Sequence, residues 1–162
     1  MRFWLLSFAR RFTSSWRRAL TAARTTLPWL PWPEERPSSL GERGERAAEE
    51  FLRRLGYVIL ERRVRGTLGE IDLIAVDGRT LVFVEVKTRR SHEKGRPDEA
   101  VDARKQRKLT ILALAWLKSR RLLNHAARFD VVAVTWPDDA LPPQIEHYRH
   151  AFDAVGRWQM FC

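Results

Sequence analysis

The chain has 162 residues, 44% hydrophobic and 31% charged, enough for one domain with a real core plus an appendage. Its one cysteine, Cys162, excludes an internal disulfide and zinc sites built on clustered cysteines, and no run of 18 apolar residues predicts a transmembrane helix. A net charge of +10 points towards polyanionic partners, either nucleic acid or an anionic membrane surface.

That charge is unevenly spread. Residues 1–33 hold six arginines and no acidic residue, contributing +6 and leaving +4 for the other 129 residues. "FWLLSFA" is too short for a secretory signal and runs into Arg10-Arg11 instead of a small-residue cleavage site. Residues 1–26 are predicted as an amphipathic helix, with Leu5, Phe8, Phe12, Trp16 and Ala19 on one face and Arg10, Ser14, Arg17 and Arg24 opposite. Such a helix suits a membrane surface, a basic arm on nucleic acid, or an extension ordered only by a partner. "PWLPWPEERPSS" (28–39) interrupts any helix with four prolines and reads as a linker, so residues 1–39 form an N-terminal extension.

"LGERGERAAEEFLRRLG" (40–56) carries Ala47, Ala48, Phe51, Leu52 and Leu55 at helical spacing, with a glycine as C-cap. "YVILERRVR" (57–65) predicts a strand and "GTLG" (66–69) a turn. "EIDLIAV" (70–76) is a second strand, "DGR" (77–79) a hairpin turn and "TLVFVEVKT" (80–88) a third strand. Residues 89–100 read as a polar loop, and 99–121 as a long helix with Val101, Leu109, Leu112, Ala113 and Trp116 inward. "RFDVVAVTW" (128–136) is a fourth strand, and "QIEHYRHAF" (144–152) reads as a short edge strand before an irregular tail, 153–162. The order α-β-β-β-α-β predicts an α/β domain with a mixed central sheet flanked by helices on both faces, strands 70–76 and 80–88 being central because they are apolar on two sides.

Those two strands also carry charge. Asp72 sits among Ile71, Leu73 and Ile74; Glu85 and Lys87 flank Val86. Burying such groups costs several kcal/mol unless they are paired or bound to a metal. Alternation puts Glu85 and Lys87 on one strand face, and the hairpin brings Asp72 beside them. Two carboxylates that close repel unless a cation lies between them, and oxygen ligands suit Mg²⁺ or Mn²⁺. A lysine beside such an ion can orient water or neutralise a phosphate. Glu70 shares Asp72's face and is a second candidate ligand, and a structural ion-pair network would use the same residues without chemistry.

Asp72, a spacer, then Glu85-Val86-Lys87 resembles the signature of the PD-(D/E)xK nuclease superfamily. "GERGERAAEEFLRRLGY", "GEIDLIAVDGRTLVFVEVKTR", "EAVDARKQRKL" and "RFDVVAV" occur in the order found in the YraN-type family of small bacterial proteins, which is distantly similar to archaeal Holliday-junction resolvases. The resemblance covers about residues 40–152 and implies a restriction-endonuclease-like fold that hydrolyses DNA phosphodiester bonds. It makes Asp72 and Glu85 ligands of Mg²⁺ (or Mn²⁺) and Lys87 the catalytic lysine. Glu45, eleven residues before Gly56, matches the helix-borne glutamate that ligates metal or orients water. Arg62-Arg63-Val64-Arg65 stands where family members often have an Asn-Trp-Arg-like segment. Branched or structured DNA as substrate, a role in repair or recombination, a homodimer and a cytoplasmic location follow by the same analogy.

Lys105, with Arg104, Arg107 and Lys108, forms a basic run on the long helix suited to backbone phosphates, and Arg89 and Arg90 open the polar loop after the third strand. His92, His147 and His150 lack partners at ligand spacing and read as surface residues. Asp130 either helps the site or caps the fourth strand.

Overall fold

A computed structural model describes residues 39–90 and 101–155. The predicted helix at 1–26, nearly all of the linker, residues 91–100 with His92, and residues 156–162 lie outside the described residues. The elements are α1 (Leu40–Arg54), β1 (Val58–Gly66), β2 (Gly69–Asp77), β3 (Thr80–Arg89), α2 (Ala103–Ser119), β4 (Ala127–Thr135) and β5 (Gln144–Phe152).

The strands make one mixed sheet in the order β1-β2-β3-β4-β5; β3 and β4 pair parallel and the other neighbours antiparallel. The β1–β2 and β2–β3 hairpins have two-residue loops: Gly66 pairs with Gly69, and Asp77 with Thr80. Gly78, with φ +60, takes the first loop position of the second, where a type II′ turn needs a positive φ. The parallel step from β3 to β4 requires a crossover, supplied by α2. The 144–152 segment is a full nine-residue edge strand.

Local chemistry sets the helix ends. Ser39 and Glu42 form a capping box: the Ser39 hydroxyl accepts the Glu42 N–H, and Glu42 Oε2 accepts the Ser39 N–H at 3.0 Å. Gly56 turns left-handed at φ +91, its N–H donating to Arg53 and that of Tyr57 to Leu52, so α1 stops at Arg54. Leu55, expected inward, therefore falls on the cap and is 54% exposed. α2 begins at Ala103, later than residue 99, because the Asp102 carboxylate accepts the Lys105 N–H at 2.7 Å and caps it. Val101 is buried ahead of the helix.

The sheet is covered on both faces, as the sequence pattern requires. Ala48 and Leu52 of α1 pack on Leu73, Ala75, Val82, Val84, Val132 and Val134. On the other face Phe83 meets Trp116 of α2 edge-on and also contacts Phe129. Burying a side chain such as Leu52 contributes about 2 kcal/mol. Gly44 permits the close approach of α1: a Cβ there would lie 1.8 Å from Thr88 Oγ1 of β3.

Candidate active site

β2 and β3 part company at one end. They pair with each other from Asp77↔Thr80 to Leu73↔Val84. Beyond that point β2 continues to pair with β1 as far as Gly69, while β3 continues with β4 as far as Arg89. The sheet thus forks, with Asp72 on one prong and Glu85 on the other. The Asp72 carboxylate spans the opening: its Oδ2 accepts the Val86 backbone N–H at 2.6 Å, a bond a neighbouring carbonyl would otherwise make.

Asp72 and Glu85 are buried, 9% and 4% exposed. Glu85 Oε1 accepts two ammonium groups, Lys87 Nζ at 2.8 Å and Lys105 Nζ at 3.0 Å. Its other oxygen, Oε2, is buried without a hydrogen-bond partner among the described residues. Burial, and then the Glu85 charge, push the Asp72 carboxyl up to about 7, against the pull of the Val86 N–H and Lys105; Glu45 adds to the rise.

The structure therefore brings Asp72, Glu85 and Lys87 together and adds Lys105 from α2. Lys105, expected on the phosphate-binding face, points instead at the carboxylate pair. Its helix has no acidic residue in the first turn, although a helix N-terminus favours anions. Arg104 and Arg107 are exposed on α2 and Lys108 is half-buried, consistent with a basic outer face. Arg89 is half-buried at the end of β3, and Arg90 pairs with Asp139 at 2.9 Å.

Glu45 stands apart from the trio. Its Oε2 accepts Arg63 Nε at 2.6 Å, and among the described residues no three His, Cys, Asp or Glu side chains are gathered to hold a metal ion. The expected set Asp72, Glu85 and Glu45 is thus not preformed: the guanidinium of Arg63 holds the third member. Glu70, the alternative to Asp72, pairs with Arg65 at 3.3 Å and is 42% exposed, which removes the burial argument for it.

The donor set still suits a hard cation. Two buried carboxylates with one unpartnered oxygen present acceptors only, and positive charge between them would relieve the repulsion that raises Asp72. Asp72 and Glu85 would hold the ion, with Glu45 as a further oxygen donor.

Three features escape a reading of the sequence. Arg63 has φ +48, a left-handed backbone that costs a non-glycine residue on the order of 1 kcal/mol. A glycine inside a helix is the available sign of the Gly44 contact. His147, expected on the surface, is only 7% exposed in its side chain; it packs edge-on against Phe51 and Tyr57 and meets Asp130 at 2.9 Å. The register aligns Asp130 with Val84, on the face opposite Glu85. Burial works against its charge, but hydrogen bonds from His147, Arg128 and the His150 N–H hold its carboxyl below the usual aspartate range. Asp130 is a structural anchor away from the carboxylate pair, and His150 sits on the surface against Asp153.

Fold and site together define an α/β domain with a buried carboxylate–lysine centre where its mixed sheet forks. Sequence comparison goes further: the uncharacterised protein family UPF0102 matches residues 44–134, and the chain belongs to that family. A UPF0102 protein of Geotalea daltonii is 53% identical over 115 residues, covering 71% of this chain and 90% of that protein. Another, from Rhodopirellula baltica, is 43% identical over 151 residues, covering 82% and 90%. No helix among the described residues is long and apolar enough to cross a membrane.

Proposed function

We propose that this chain is a metal-dependent endonuclease of the PD-(D/E)xK type with a restriction-endonuclease-like fold, hydrolysing phosphodiester bonds of DNA. The observation that carries this reading is the buried Asp72–Glu85 pair at the sheet fork with Lys87 and Lys105 upon it. Lys87 and Lys105 both engage one oxygen of Glu85, its Oε2 has no partner among the described residues, and burial with the Glu85 charge drives Asp72 towards neutrality, a perturbed pair of the kind that marks functional sites.

A bound Mg²⁺ or Mn²⁺ supplies Lewis-acid polarisation of the phosphate and lowers the pKa of water. Lys87, on the same strand face as Glu85, is the group to orient the attacking water and offset charge developing on the phosphorus oxygens. Lys105 places a second ammonium group against Glu85 and so adds to the attraction for a phosphate. Arg104, Arg107, Lys108, Arg89 and Arg90 would hold flanking backbone phosphates, which fixes position without reading sequence. Branched or structured DNA is the proposed substrate, with a homodimer cutting two opposed strands, in repair or recombination in the cytoplasm.

The test compares wild type with Asp72→Ala and Lys87→Ala on labelled linear, flapped and four-way-junction DNA, with Mg²⁺ or Mn²⁺ and an EDTA control. Cleavage by wild type alone, abolished by EDTA, supports the reading. Binding without cleavage, unchanged in both variants, refutes it in favour of a non-catalytic nucleic-acid-binding module. That second reading draws on one observation, the engagement of Glu45 by Arg63. A membrane-surface role for residues 1–26 is a minor third, separable by vesicle co-sedimentation of the full chain against one starting at Leu40.

A further inference from the structure

Arg63 sits where an arginine would be expected to quench the site. By register it lies across from Asp72, between the pairs Arg62↔Leu73 and Val64↔Ile71. Opposed residues on neighbouring strands share a face, so an extended Arg63 would reach towards Asp72. Its φ of +48 breaks that extension, and the guanidinium turns to α1 instead. There it forks between two glutamates one helical turn apart, Nε donating to Glu45 at 2.6 Å and Nη1 to Glu42 at 3.0 Å.

The two glutamates are not equivalent. Glu42 is tied into the capping box through its other oxygen, which accepts the Ser39 N–H. Glu45 lies a turn further along, held by the guanidinium of the residue that stands across from Asp72 in the β1–β2 register. If Glu45 swings away, the guanidinium keeps Glu42, so the exchange leaves no charge stranded.

We propose that Arg63 is a positioning residue that holds the Glu45 carboxylate in reserve beside the Asp72–Glu85 pair, so that Glu45 joins them only by exchanging its guanidinium partner for a divalent cation. This rests on the metal-dependent reading above and adds what sets the affinity of the centre. The left-handed backbone has a role in the same terms: it keeps an obligatory cation off Asp72 while placing it on Glu45. Strain of this kind persists where surrounding contacts over-determine it, here two ion pairs.

Mn²⁺ alone is the probe, titrated into the full chain with the free ion followed by its EPR signal, so no cleavage is needed. Arg63→Asn removes the guanidinium and tolerates a positive φ; Arg63→Gly, which has no strain at this backbone, is the second variant. Both should bind Mn²⁺ roughly threefold to fivefold more tightly than wild type, the effect of one partly exposed ion pair removed. The gain should vanish when Glu45→Gln is added, which a merely structural role for Arg63 would not produce. Equal affinity in wild type and both variants, or a gain that survives Glu45→Gln, overturns the proposal and leaves metal binding by the carboxylate pair standing. Absence of Mn²⁺ binding in all of them overturns the metal-dependent reading, and this proposal with it.

Discussion

Asp72→Asn should make the metal-free protein more stable at pH 8 and less active at every pH. The amide keeps an acceptor for the Val86 N–H, so the bond across the fork survives. What it removes is a carboxyl raised from 3.8 to about 7 by burial and by Glu85. At about pH 3 and below, the folded and unfolded aspartate are both largely protonated and the substitution changes little. Between 3.8 and 7 the unfolded state releases its proton while the folded state retains it, so wild-type stability falls as pH rises. At 1.36 kcal/mol per pH unit the full penalty is on the order of 4 kcal/mol above pH 7, absent in the amide. The assay is urea unfolding in EDTA from pH 4 to 8. The gap between variant and wild type should open through that window and be flat above it, and added Mg²⁺ should stabilise wild type but not the variant. A variant less stable than wild type at pH 8, or a gap independent of pH, would refute the assignment of Asp72 as a buried, repelled carboxylate.

Lys87→Ala should lower cleavage about 100-fold or more while leaving DNA affinity within a few-fold, measured by single-turnover kinetics beside equilibrium binding. Gly44→Ala forces a methyl group into Thr88 and should cost about 1–3 kcal/mol by urea unfolding; adding Thr88→Ala should recover part of the loss. Asp130→Asn should cost about 3 kcal/mol at pH 7 by breaking a buried charge network. Because the Asp130 carboxyl is held below 3.8 in the fold, its contribution is present above that value and fades as pH falls through the folded pKa, so acid should close the gap between variant and wild type. Charge reversal at Arg104 and Arg107 should weaken binding of all DNA sequences alike and flatten its dependence on salt, by about one in the slope of log K against log salt for each phosphate no longer neutralised.

The elements of the domain are legible in the chain because their signals are local. The helical spacing of Ala47, Ala48, Phe51 and Leu52 marks α1, Gly56 marks its end, and Asp77-Gly78 marks the β2–β3 turn. The alternation of Glu85 and Lys87 about Val86 places two charges on one strand face, and the short hairpin brings Asp72 to them. Each of these follows from dihedral preference and a two-residue or 3.6-residue period, which a few neighbouring residues are enough to express.

Tertiary structure alone decided which charges from other elements meet that trio and which stay away. Lys105 lies twenty residues from Glu85 yet caps it, because the parallel β3–β4 pairing sends α2 across that face of the sheet. The same long-range register takes Asp130 and His147 to the far face and buries them together, where spacing alone leaves one undecided and puts the other on the surface. It also set Arg63 opposite Asp72, and the left-handed backbone then turned it to Glu45. Periodicity tells which face of an element a side chain occupies; the partner on that face is supplied by another element, and its identity is fixed only when the elements pack.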